Sequence, residues 1–211
     1  MVVGHLAGRR AALRRRADLP QAVVLTFDDG PNPEATPAFL ECLAQHDVPA
    51  AFFLVGRRAK QSPELAREIP ERGHEVGNHT YSHRHQWTLS PRGTAAEIRR
   101  GTEAIAEASG RTPIAFRPPW GIFNALTASV ARGLGQRSVL WSVRSEGFRW
   151  RPSAEEMADH VVAHTRGGDI IDLHDAGGFP DTPTRVLAAL PLIIERLRAA
   201  GFRFARLSEF L

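Results

Sequence analysis

The sequence predicts an α/β fold built on a parallel sheet. Two observations carry that expectation. Short apolar runs rich in Val, Ile and Phe recur seven times along the 211 residues, and each is followed by a stretch with helical punctuation. The strand candidates are residues 22–27, 50–55, 74–77, 114–117, 138–143, 169–174 and 202–206. Between them, Thr36-Pro37, Ser62-Pro63, Ser90-Pro91 and Thr182-Pro183 each place a cap residue before a proline at a first helical position. Ser153 and Glu156 have the spacing of a capping box. Gly73, Gly110, Gly167 and Gly201 stand where helices should stop. Ile98 and Ile105, a heptad apart, give the run 94–109 a buried face. A doubly wound open sheet and a closed barrel both fit. In either, chemistry gathers at the C-terminal ends of the strands, so polar residues just after strands are the ones to examine.

Composition narrows the function classes. Apolar residues make up 43% and charged residues 24%, which suits one globular domain and excludes a disordered or collagen-like chain. The formal charge is +4, but residues 1–20 hold five arginines against one aspartate and the remainder balances to zero. The basicity belongs to a segment expected to be a solvated tail or short leading helix, with the catalytic domain at 21–211. No nucleic-acid partner is expected from a neutral body. Cys42 is the only cysteine, so no intrachain disulfide exists, and it reads as a packed side chain. No apolar run is long enough for a membrane span, and no signal peptide is visible, which points to the cytoplasm if the chain is complete. A monomer is expected.

Four strand ends carry chemistry. The first runs into Asp28-Asp29-Gly30-Pro31, two adjacent carboxylates that repel unless a cation neutralises them. Asp-Asp-Gly alone often marks only a turn. After the third come His79 and His83, four apart and on one side of a helical turn if one forms there, a spacing that lets both imidazoles meet one metal. His85 competes as a ligand but would point elsewhere in such a turn. His5, His46, His160 and His164 read as surface residues. After the fourth comes Arg117-Pro118-Pro119-Trp120-Gly121, a stiff segment whose arginine suits a carboxylate and whose backbone N–H suits an anion. The sixth ends Asp172-Leu173-His174-Asp175, with His174 a candidate general acid and Asp172 in need of a partner if buried. Two histidines and one carboxylate leave open metal positions, the pattern of a catalytic centre. Non-haem iron oxygenases share that ligand set but usually sit on all-β sheets.

These motifs resemble a known family. Residues 26–31 (TFDDGP), 79–83 (HTYSH), 117–121 (RPPWG) and 171–174 (IDLH) are similar to four of the five motifs of the polysaccharide deacetylases, the NodB-homology group or carbohydrate esterase family four. Order and spacing match, and the likeness spans residues 21–207. It implies a distorted (β/α)7-type barrel. It further implies one divalent metal on Asp29, His79 and His83, usually Zn2+, with Co2+, Ni2+ or Mn2+ as alternatives. By the same resemblance Asp28 is the base, Arg117 holds it, His174 is the general acid, the Trp120 backbone N–H helps bind the oxyanion, and Leu173 lines the acetyl pocket beside Pro118. The substrate implied is an acetylated carbohydrate such as chitin oligomers or peptidoglycan, and the alternative a small non-polymeric amide. Members are often exported or at the cell envelope. The departure is in the fourth motif, where Gly147 and Phe148 fall at the family's Asp-Trp. Glu146 or Asp172 is then expected to replace the carboxylate, and Phe148 or Trp150 the wall.

Overall fold

The computed structural model describes residues 2–146, 152–178 and 181–211. Its eight strands are β1 (Ala22–Asp28), β2 (Ala50–Leu54), β3 (Glu75–Asn78), β4 (Ala115–Phe116), β5 (Arg137–Ser138), β6 (Val143–Arg144), β7 (Ile170–His174) and β8 (Arg203–Phe204). The helices are α1 (Val2–Ala11), α2 (Thr36–Gln45), α3 (Gly56–Gln61), α4 (Pro63–Glu71), α5 (Pro91–Ser109), α6 (Thr127–Gly133), α7 (Ala154–His164) and α8 (Thr182–Ala199). Every strand pair is parallel, in the order β5-β4-β3-β2-β1-β7-β6, with β8 added beside β1. The sheet curls with helices around it, a distorted (β/α)7 barrel.

Period-2 alternation sorts the side chains into two layers. Leu25, Phe27, Phe52, Leu54, Ile171 and Leu173 face the helices and pack with Phe39, Leu43, Ile69, Val161, Leu190 and Ile194. The other face lines the barrel. Its lower half is apolar, built from Ala22, Val24, Ala51, Phe53, Ile170, Leu207 and Phe210. Its upper half turns polar, because the next inward positions are Thr26 and Asp28 on β1 and Asp172 and His174 on β7. Register aligns them in pairs, Thr26 with Asp172 and Asp28 with His174.

The predicted fifth strand, 138–143, is split. Its first part pairs with β4 as β5 and its second with β7 as β6, so one segment crosses between the two edges of the sheet. The bend is occupied by the N-terminal segment. Leu13 donates its N–H to Ser138 O (2.9 Å), and Leu140 donates to Leu13 O (2.7 Å).

Residues 2–20 are therefore a docked strap that begins with the leading helix, and the alternative expectation of a solvated tail fails. Arg15 donates to Gly167 O and pairs with Asp169, Arg16 donates to Phe210 O, and Arg9 donates to Gly121 O. Much of the basicity that looked global thus serves local docking. Leu13→Ala should cost about 2–4 kcal/mol by cavity formation, measured as a shift in the urea midpoint. An unchanged midpoint would contradict the docking.

Several helix starts follow the sequence. Ser90 caps α5 by accepting from Gly93 N, and Ser153 with Glu156 closes a capping box on α7. Ile98 and Ile105 are buried. Thr36 and Thr182 instead stand as first helical residues, and Ser62 makes no side-chain cap bond. The Thr36 hydroxyl is diverted to the Asp175 carboxylate, and Asn32 N donates to it.

Candidate active site

Arg117, at the end of β4, organises the site. Its side chain is fully buried, and Nη1 donates to Asp28 Oδ1 (2.6 Å), Thr26 Oγ1 (2.9 Å) and Asp172 Oδ1 (3.2 Å). Its guanidinium lies 4.1 Å over the Phe53 ring, so the planar cation is held by both charge and π face. Asp172, which required a partner if buried, has Arg117 and also Arg144 Nε at 3.7 Å. Burial, reinforced by the Asp28 charge, pushes its carboxyl up to about 6.

Asp29, His79 and His83 converge above this layer. Asp29 Oδ1 lies 3.4 Å from His79 Nε2 and 2.9 Å from His83 Nε2. The sequence expected a helical turn for the histidines. The segment is instead a loop in which Thr80 (φ 68°) and His83 (φ 56°) take left-handed conformations. Such strain persists only where neighbours over-determine it. Here Asn78 Oδ1 accepts from Thr80 N, Glu97 on α5 accepts from both Ser82 N and Ser82 Oγ, and Gly56 N donates to Thr80 O. Asp29 is itself left-handed (φ 76°), with its carbonyl accepting from Arg58 Nη1 (2.7 Å). A Cβ on Gly177 (φ 69°) would come within 1.9 Å of Asp29 Oδ2, so only glycine lets this loop back the carboxylate.

The donor set fits a divalent cation. His79 Nδ1 lies 2.7 Å from Arg117 O, an atom that can only accept, so Nδ1 carries a proton and Nε2, turned to Asp29, is the atom that a cation would take on displacing its proton. The three ligand atoms lie within 4.8 Å of one another. Burial would raise the Asp29 carboxyl, but hydrogen bonds and charge from His79 and His83 outweigh it and hold it well below its usual value. Burial likewise opposes protonation of His79, and Asp28 and Asp29 overcome it. A cation must displace those protons, so its affinity should fall at acid pH.

His174, at the end of β7, is the register partner of Asp28. Glu146 Oε1 lies 3.0 Å from its Nδ1. Burial disfavours its charge, but Asp172, Glu146, Asp29 and Asp28 together push it up to about 10. The carboxylate beside the acid histidine is thus Glu146, with Asp172 a buried neighbour in charge. A raised histidine stays protonated at neutral pH and loses its acid form only as pH rises through the shifted value. If His174 is the general acid, Glu146→Gln should move the alkaline limb of the kcat–pH profile to lower pH and leave the acid limb in place. An unmoved limb would mean that Glu146 does not tune His174.

Asp28, Asp29, His79, His83, Asp172 and His174 line one pocket of about 380 Å³, within the usual range for ligand sites, with Glu146, Arg58, Trp120, Trp141 and Arg144 among its other walls and Arg117 buried beneath it. A larger groove of about 610 Å³ runs along α1 and is lined by arginines and apolar residues with no acid or base pair. Two expected lining residues lie elsewhere. Leu173 alternates with inward-facing Asp172 and His174, so it points into the helix-side core. Pro118 is buried and shapes the backbone, accepting from Gly121 N at 2.9 Å. Trp120 does line the pocket, left-handed (φ 55°) and with its ring tilted by 55° against His83 at 4.4 Å. Gly147, Phe148 and Trp150 lie outside the described residues. His85 stays away from Asp29 and packs between Trp120 and Trp87. Sequence reasoning missed Thr26, Arg58, Trp141 and Arg144, and gave no role to Asp175. Asp175 is wholly buried, and desolvation, with the nearby Asp29 charge, pushes it up to about 7. A Cβ on Gly30 would meet its Oδ2 at 2.6 Å.

Residues 15–139 match the sequence profile described as polysaccharide deacetylase. The chain belongs to that family. It is 36% identical over 190 residues to the peptidoglycan-N-acetylglucosamine deacetylase of Bacillus cereus, covering 90% of this chain and 87% of the relative. It is 35% identical over 196 residues to a chitooligosaccharide deacetylase of Rhizobium leguminosarum bv. trifolii, covering 89% and 90%. Among solved structures, a peptidoglycan N-acetylglucosamine deacetylase in complex with a naphthalenyl N-oxidanyl-benzamide superposes with a TM-score of 0.87 at 31% identity, covering 95% of this chain and 92% of that one. Membership makes the chain a hydrolase of the carbohydrate esterase type, on the barrel that the resemblance implied.

Proposed function

We propose that the protein removes the N-acetyl group from N-acetylglucosamine units of a β-linked glycan, in peptidoglycan or in chitin oligomers, with a divalent metal held by Asp29, His79 and His83. The observation that carries this reading is that Asp28 and His174, register partners on adjacent strands, line one pocket with that ligand triad. The names of the relatives supply the substrate class. A bound cation, Zn2+ by ligand type, would polarise a water and the acetyl carbonyl.

The chain's own residues do the rest. Arg117 occupies Asp28 Oδ1, which leaves Oδ2 toward the pocket to accept a proton from the attacking water. The water oxygen bonds to the carbonyl carbon, and the Trp120 backbone N–H steadies the oxyanion. With Nδ1 of His174 turned to Glu146, Nε2 delivers a proton to the departing nitrogen as the C–N bond breaks. The products are acetate and a free amine. A protein that had lost catalysis would lack the base, the acid or a ligand, and all are present.

The test is acetate release from a panel of chitin oligomers, peptidoglycan fragments, acetylxylan and small non-sugar amides. Release from the amino-sugar substrates supports the reading. Release confined to small amides would replace it with the amidase alternative.

A further inference from the structure

We infer that a second carbohydrate-binding site lies outside the catalytic pocket, formed by His85, Trp87 and His5, and that it holds neighbouring pyranose rings of the substrate chain. This rests on the function proposed above and extends it. From His83 the aromatic rings continue outward without a break. Trp120 lies 4.4 Å from His83, His85 lies 5.4 Å from Trp120, Trp87 lies 5.5 Å from His85, and His5 on α1 lies 5.4 Å from Trp87. A glycan long enough to leave the pocket on this side must cross them.

The strip is built to stay open. Among the described residues only four large apolar side chains are exposed, and two of them are Trp87 at 42% and Trp120 at 43%. Core packing does not account for them, yet neither is loose. The Trp87 indole N–H donates to Phe123 O (2.9 Å), and its backbone N–H donates to His85 Nδ1 (3.3 Å). His5 Nδ1 accepts from Phe123 N (3.2 Å), so α1 is tied to the same loop. Asn124 Nδ2 binds Gln86 O (2.9 Å), fixing the short turn that carries Trp87.

A ring already fixed in orientation loses little side-chain entropy when a ligand covers it. A pyranose offers what such a ring takes: a flat face of C–H groups for the π surface, with hydroxyls around the edge that remain in water or meet imidazole nitrogens. A purely apolar partner would leave those imidazoles unmatched, and the continuity with His83 joins the strip to the reacting sugar rather than to a separate surface.

The experiment compares Trp87→Ala, Trp87→Phe and wild type on N-acetylglucosamine dimer and pentamer. For Trp87→Ala the pentamer should lose roughly three- to tenfold in kcat/KM through KM, with dimer kinetics unchanged. Trp87→Phe should retain most of the pentamer preference. Equal losses on both lengths, or an unchanged ratio, would overturn the site. Calorimetric binding of the pentamer with chelator present separates this from the catalytic proposal. Wild type that binds the pentamer more tightly than Trp87→Ala upholds the strip even if no acetate is released. Equal affinity, an absence of binding, or self-association through the strip in place of glycan binding would overturn it.

Discussion

Asp28→Asn should lower kcat by about two to four orders of magnitude and leave metal content unchanged. The amide keeps the shape of the side chain and can still face Arg117, but it cannot take a proton from water. Asp28 Oδ2 is 3.7 Å from His79 Nε2, whereas Asp29 Oδ1 approaches both histidines more closely. These distances are the reason the proposed mechanism takes Asp29 as the ligand and Asp28 as the base. Metal analysis of the variant checks the division of labour directly. Loss of metal along with activity would make Asp28 a ligand and require another base.

Arg117→Met should be the most destabilising single change at the site, at about 3–5 kcal/mol. The methionine fills part of the volume but leaves Asp28 and Asp172 buried near one another with no cation between them. The pH dependence has a definite sign. In the native protein the Asp172 carboxyl is pushed up to about 6, so between about 4 and 6 the folded state holds a proton that the unfolded chain has lost, and stability falls as pH rises through that window. Removing the guanidinium raises this carboxyl further and extends the window upward. The deficit of Arg117→Met, read from urea unfolding, should therefore be larger at pH 8 than at pH 5. A deficit independent of pH would mean that the arginine acts by packing on Phe53 alone.

Much of this was legible in the sequence, because a parallel α/β sheet sends its strand ends to one face. Asp28, Arg117 and His174 could be assigned to one site once their strands were recognised. Leu173 was legible too, on a stricter use of period 2: with Asp172 and His174 inward, the residue between them must point outward. His79 and His83 do meet at Asp29, but two left-handed residues, not a helical turn, bring their rings together. The split of 138–143 was not readable, because its local pattern is one continuous strand and the crossing from β4 to β7 depends on both edges of the curled sheet. The docking of residues 1–20 was equally hidden. Arg15 and Arg16 find acceptors at Gly167 and Phe210, more than 150 residues away along the chain, and charge counting carries no trace of a carbonyl partner. Asp175 carried a faint signal, a second acidic residue closing the run Asp172-Leu173-His174-Asp175, but its burial against Thr36 is a tertiary fact.

The most direct test is acetate release from N-acetylglucosamine oligomers by the purified protein, measured as isolated, after chelation and after Zn2+ is restored. Acetate should appear, vanish with the chelator and return with the metal, and Asp28→Asn should release it at least about a hundredfold more slowly than wild type with metal present. Release that persists in the chelated protein and in Asp28→Asn would contradict a metal-dependent deacetylase centred on these residues.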